Sequence, residues 1–219
     1  MAEVSKGVVS RGQQAGYPNQ ATVNVAVNTL GEQIVMDWIQ KAVMDGMMYQ
    51  VRAGTISVPL VGDVVLTDTA AEMAADVASG TSILPVSLNI AVNLGTGTLH
   101  EYAAKSVATV SSSGTAFTPL PVRTDGPAAV SSARVQAAGS VTVTAETATT
   151  TMVHWHGANP LAVVTAGGGF QGVHYVQLIP APLLTGARSF YMQIAATGTG
   201  PSYFANFNYV EVASALVER

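Results

Sequence analysis

The sequence predicts a mostly β chain, an antiparallel sandwich of about eight to ten short strands behind one amphipathic helix, and three observations carry that prediction. From Met47 to the C-terminus, β-branched and other apolar residues alternate with polar ones, the period-two pattern of strands with one wet face. Glycine, proline, serine and asparagine interrupt the alternation at the short intervals that separate strands. Spacing of three and four residues, the mark of an amphipathic helix, occurs once, between Gly31 and Asp45.

Residues 1–20 are polar, with Gly7, Gly12, Gly16 and Pro18 among serines and glutamines. They are expected to form a flexible arm outside a single β-sandwich domain over 21–219. A first strand is expected over 22–28, where Val23, Val25 and Val27 alternate with Asn24, Ala26 and Asn28. In the helix expected over 31–45, Ile34, Val35, Trp38, Ile39, Ala42 and Val43 form the apolar stripe. Glu32, Asp37 and Lys41 form its solvent face, and Gly46 its stop. Strands then follow at 49–58, 63–66, 71–77, 82–93 and 98–110. The strongest is 82–93, with Val86, Leu88, Ile90 and Val92 on one side and Ser87, Asn89, Ala91 and Asn93 on the other. The Pro/Gly/Ser-rich stretch 111–128 is expected to be a long loop between sheets, because the strands on its two sides look alike. Further strands are expected at 129–136, 140–156 (with a break near Thr147), 172–179, 188–197 and 203–212. A sandwich or jelly roll accommodates such a series, with a closed barrel as the second choice.

Composition bounds the function. Charged residues make up 10% of the chain, against ~25% in ordinary soluble proteins. A free monomer relies on surface charge for solubility, whereas interface cores are depleted of it. A chain that buries much of its exterior against neighbours is therefore expected. The net charge is −4 and no basic run occurs, with only Lys6 and Arg11 in the first thirty residues. Direct binding of nucleic acid, which needs clustered Lys and Arg, is not expected. The absence of cysteine excludes disulfides, thiolate metal sites and cysteine nucleophiles. The N-terminal MAEVSKGVVSRGQQ has no apolar core of the signal-peptide kind, and no apolar run approaches ~20 residues, so neither export by the common route nor a membrane span is expected.

Motifs that carry chemistry are sparse. Serine never stands in a G-x-S-x-G elbow. The Gly167-Gly168-Gly169 run lacks the Lys-Ser or Lys-Thr of a phosphate loop. The carboxylates are scattered, and no enzyme activity is expected. The one metal-like string is Val153-His154-Trp155-His156-Gly157. On a regular strand His154 and His156 share a face, close enough to chelate one ion, with His174 a third ligand from another strand. HWHG resembles the first copper motif of multicopper oxidases, but those enzymes need further His-x-His elements and a cysteine. Cupins follow their His-x-His with a glutamate, and here the next residues are GANPLAVVTAGGG. His154, His156 and His174 are thus weak metal candidates, no cofactor is expected, and the alternative is an imidazole and aromatic cluster at a sheet or subunit contact.

Aromatic residues concentrate in Tyr203-Phe204-Ala205-Asn206-Phe207-Asn208-Tyr209. Tyr203, Phe207 and Tyr209 share one face, and either a core strand, a subunit contact or a glycan contact accounts for them. In 188–197, Phe190, Met192 and Ile194 are expected to face inward and Ser189, Tyr191 and Gln193 outward, an uncharged face suited to a wet protein contact. Tyr191, Tyr203, Phe207 and Tyr209 are therefore the interface candidates.

The strands of DVASGTSILPVSLNIAVN (76–93) and the aromatic strand 203–212 resemble those of jelly-roll structural proteins of bacteriophage virions, the decoration, cement and small coat proteins. The resemblance lies in pattern across most of the chain. It implies a homo-oligomer, commonly a trimer, on a capsid lattice, with other capsid proteins as partners, made in the host cytoplasm and located in the virion. The missing basic arm favours a decoration or cement role. Two alternatives stay open: a carbohydrate- or receptor-binding β-sandwich of a phage fibre, and a cupin-like protein built on the histidines.

Overall fold

The computed structural model describes residues 6–8, 22–24, 37–55, 57–94, 99–136, 139–160, 172–198 and 200–217. Eight longer strands build it: β1 (Met48–Ala53), β2 (Met73–Val77), β3 (Thr81–Leu94), β4 (Leu99–Val107), β5 (Thr151–Pro160), β6 (Gly172–Gln177), β7 (Arg188–Ala196) and β8 (Ser202–Ala213). One sheet runs β1-β8-β3-β6, with Leu120–Pro121 added beyond β1. The other runs β5-β4-β7-β2, continued by Ser132–Val135 and Thr115–Phe117. All neighbours are antiparallel, and β1 pairs with β8, β2 with β7, β3 with β6 and β4 with β5. The chain is thus a β-sandwich in which first pairs with last, as in one long hairpin folded over itself.

Alternation explains the layers. From β1, Tyr49, Val51 and Ala53 point inward; from β8, Tyr203, Ala205, Phe207 and Tyr209; from β3, Leu88, Ile90 and Val92. They meet Met73, Ala75, Tyr102, Ala104, Phe190, Met192 and Ile194 of the opposite sheet. The rings of Phe190 and Phe207 cross edge-to-face between the sheets with centroids 5.1 Å apart, a favoured aromatic geometry.

The helix α1 (Trp38–Met44) is shorter than expected. Asp37 has extended backbone and its carboxylate accepts from the Ile39 amide at 2.8 Å, the N-cap arrangement that starts a helix. The stretch 31–36, the arm apart from Lys6–Val8, and 25–28 lie outside the described residues. Lys6–Val8 pairs antiparallel with Thr22–Asn24. Gly46 ends α1 as anticipated. Its φ is +72°, and the amides of Gly46 and Met47 bond back to the Val43 and Ala42 carbonyls, which is the Schellman closure. Ala42 packs with Met48, Val86 and Val210, so the helix covers one end of the outer face of the first sheet.

The stretch 111–128 supplies edge strands to both sheets: Thr115–Phe117 pairs with Ser132–Val135, and Leu120–Pro121 with β1. The interval 140–156 breaks near Thr147 as expected, into Val141–Thr142 and β5. There Thr147 closes a turn by accepting the Thr150 amide.

Two tight points stand out. Gly62 donates its amide to the Pro201 carbonyl at 2.9 Å, and a Cβ on Gly200 would run into the Gly62 carbonyl oxygen. Gly80, by contrast, has φ +79° in open space. Gly200→Ala is expected to destabilise by about 3 kcal/mol through backbone overpacking, and Gly80→Ala by about 1 kcal/mol through left-handed strain alone. Phe207→Ala should cost about 3–5 kcal/mol. Urea denaturation of the three variants checks this order.

Candidate functional site

The interface candidates lie inside the molecule. Tyr191, Tyr203, Phe207 and Tyr209 are all fully buried, so none is available to a partner. For Tyr203, Phe207 and Tyr209 the core reading holds. Tyr191 does face outward from the second sheet, with Ser189 and Gln193, but that face has a cover. Val141–Thr142 pairs with Ala70–Ala71, and Val141, Val143 and Ala71 pack on Tyr191, Ala74 and Val107. Polar contacts clamp this layer down. The Tyr191 hydroxyl donates to Glu146 at 3.0 Å, Lys105 bonds both Glu146 oxygens at 2.8 Å, and the Gln193 amide donates to the Thr67 and Ala70 carbonyls. An uncharged strand face is equally suited to an intramolecular cover, and period-two alternation does not distinguish the two.

The histidines are separated. Register in β5 shifts between Val153 and Trp155, a bulge that inserts one residue and reverses the alternation beyond it. His154 turns inward, its Nε2 2.8 Å from the Ser106 hydroxyl and its ring 5.8 Å from Phe190. Trp155 also turns inward and stacks on Tyr102, and His156 is left exposed on the opposite face. The expectation that His154 and His156 share a face is thereby overturned. His174 lies elsewhere, its ring 4.7 Å from Tyr102, beside the buried His100, whose Nδ1 is 3.3 Å from the Tyr102 hydroxyl. Burial lowers the pKa of both His100 and His154. No group of three or more His, Cys, Asp or Glu poised to hold a metal occurs among the described residues.

Ser106 and His154 line a cleft of about 520 Å³ together with Thr149, Thr151, Leu183 and Arg188. A serine–imidazole contact is the start of a nucleophile, but Ser106 is buried and no carboxylate orients the imidazole among the described hydrogen bonds. The contact secures the bulge.

The fold also creates a carboxyl pair invisible in the sequence. Glu72 is buried, accepting from the Ile194 amide at 2.8 Å and the Asp63 amide at 3.3 Å. Burial, with the neighbouring Asp63 charge adding to it, holds the Glu72 carboxyl well above the ordinary range, and burial raises Asp63 too.

Among the described residues, one broad face has no cover, the half of the first sheet beyond α1. Gln50, Asn208, Ser87 and Gln177 stand in one row across four strands; Arg52, Asn206, Asn89 and Tyr175 stand in the next. Gln50 donates to the Asn208 carbonyl oxygen at 3.1 Å, and Asn208 donates to the Ser87 hydroxyl at 3.0 Å, which fixes the first row. Tyr175 is 68% exposed. The alternation of 82–93 and 203–212 placed these asparagines opposite the core, but without pairing partners it did not align them. A shallow hollow of about 540 Å³ beside Arg52 is lined by Gln50, Thr55, Ser57, Phe204 and Asn206. No helix among the described residues is long and apolar enough to cross a membrane. No protein-family model and no curated protein matches the chain.

Because its pKa is raised in the fold, Glu72 binds its proton more tightly there than in the unfolded chain. Its contribution is complete below the ordinary glutamate value of about 4.3 and is lost as pH rises toward the elevated folded value. Glu72→Gln is expected to flatten the decline in stability from pH 4 to pH 8. Urea midpoints measured across that interval check it, and an unchanged slope would contradict the assignment.

Proposed function

We propose that the chain is a non-catalytic structural subunit, a virion coat or decoration protein on a jelly-roll frame, working by assembly with copies of itself and with other shell proteins. The pairing of first strand with eighth, second with seventh, third with sixth and fourth with fifth is the order that a jelly-roll wrap produces, and such frames serve in viral capsids.

One observation carries the reading: large apolar side chains stand exposed on an exterior that has few charges. Of nine basic and thirteen acidic residues among 219, Glu72, Asp76, Lys105 and Glu211 are buried, so at most eighteen serve the exterior. Meanwhile Trp38, Val58, Val61, Val64, Val65, Met152, Val153 and Ile179 are exposed. Large apolar side chains on a charge-poor exterior suit burial against neighbours. Each stable contact of this kind removes on the order of 1,600 Å² from water. The net charge of −4 without a basic run suits protein partners rather than packaged nucleic acid.

Size-exclusion chromatography with light scattering tests this. A closed homo-oligomer is expected, and a strict monomer at high concentration would defeat the proposal. Among Val64→Glu, Met152→Glu and Ile179→Glu, those inside a contact should shift the oligomer toward monomer. Each should change monomer stability by no more than about 0.5 kcal/mol, the usual effect of a surface substitution.

A further inference from the structure

The uncovered half of the first sheet has a composition that an apolar contact does not explain. Its second row, Arg52-Asn206-Asn89-Tyr175, runs across β1, β8, β3 and β6. Three inter-strand spacings place its ends about 14 Å apart. At one end stands an exposed guanidinium that makes no ion pair among the described residues. At the other stands an aromatic ring with most of its surface in water. Between them are two amides that are not engaged in the hydrogen bonds of the neighbouring row. The Asn89 side-chain oxygen is buried without a partner, so its amide keeps hydrogen-bonding capacity that the fold does not use. The hollow beside Arg52 adds the hydroxyl-bearing Thr55 and Ser57 and the amide of Gln50. Its volume is within the range of small-ligand sites.

We propose that this face binds a short oligosaccharide carrying one carboxylate-bearing sugar. The carboxylate is taken by Arg52, whose planar fork of donors matches a carboxylate in a bidentate pair. Sugar hydroxyls, each both donor and acceptor, are met by the amides of Asn206 and Asn89, which offer both functions. The apolar face of a further sugar ring lies on Tyr175, an aromatic with a flat, wet, low-entropy surface. The row fixed by Gln50, Asn208 and Ser87 holds the floor beside it, so little ordering remains to oppose binding. Charge complementarity decides between ligands: Arg52, the one cation of these two rows and without a carboxylate in either, favours an acidic over a neutral sugar. This inference does not rest on the assembly proposal, since a binding face of this kind can be carried by a monomer or by each subunit of an oligomer.

Isothermal titration of the full chain with the two linkage isomers of sialyllactose, using lactose as the neutral control, tests it. At least one acidic ligand is expected to bind at least tenfold more tightly than lactose, with affinity falling as salt is raised. Arg52→Ala should abolish that preference, Arg52→Lys should restore part of it, and Tyr175→Ala should weaken binding about tenfold, all with unchanged thermal midpoints. No binding of either acidic ligand, or equal binding of lactose, would overturn the proposal. So would binding indifferent to Arg52→Ala and Tyr175→Ala. If Tyr175→Glu splits an oligomer while both acidic ligands fail to bind, the face is a subunit contact and the inference falls while the assembly reading stands.

Discussion

The structure depends on the closure of two sheets over the ring contact between Phe207 on β8 and Phe190 on β7. Both strands are interior to their sheets, β8 between β1 and β3, and β7 between β4 and β2. Each can be interior only if the last part of the chain returns to lie among strands made much earlier. Aromatic side chains bury the most area per residue, and β8 supplies Tyr203, Phe207 and Tyr209 to the core together. Dispersion and exclusion of water over that area hold the ends of the wrap together, and every other layer is built upon it.

Polar groups then decide how the loops lie on this frame. Asp76 is buried and accepts from the Ser111 amide and hydroxyl at 2.7 and 2.8 Å and from the Ser189 hydroxyl, with Arg134 3.6 Å away. Glu211 accepts the Val130 and Ser131 amides at 2.8 Å, and the Ser131 hydroxyl contacts both Glu211 and the hydroxyl of Tyr209. Buried carboxylates need such donors, and here the donors are backbone amides of connecting segments. The carboxylates thus act as internal fasteners, pinning Ser111 and 130–131 to strands. The scarcity of charge outside follows chiefly from the small number present, and the burial of Glu72, Asp76, Lys105 and Glu211 adds to it.

The two sheets end up with different exteriors. The second is sandwiched on both sides, since segments around 67–72 and 139–146 lie across its outer face. The first is covered by α1 at one end and open at the other. Among the described residues, only on the open part do polar side chains from four strands reach a common surface. The cluster at His100, Tyr102 and His174, the Ser106–His154 contact and the Glu72–Asp63 pair are each enclosed or serve the packing.

Local sequence determined a good deal by itself. Period-two alternation, turn residues and one three-four stripe specified a mostly β sandwich, most of the longer strands, the break near Thr147 and the helix stop at Gly46, because these follow from backbone geometry within a few residues. The strand expected at 63–66 is only an isolated bridge at Asp63, and the loop expected at 111–128 contains two short edge strands. The start of the helix was less legible, since the extended conformation of Asp37 competes with an apolar stripe that continues upstream. Tertiary structure alone decided which faces meet water. Tyr191 looked exposed because alternation names a face and not its cover, and His154 parted from His156 because a bulge is a property of paired strands. The row from Arg52 to Tyr175 joins residues far apart in the chain, and the registers of four strands were needed to set them side by side.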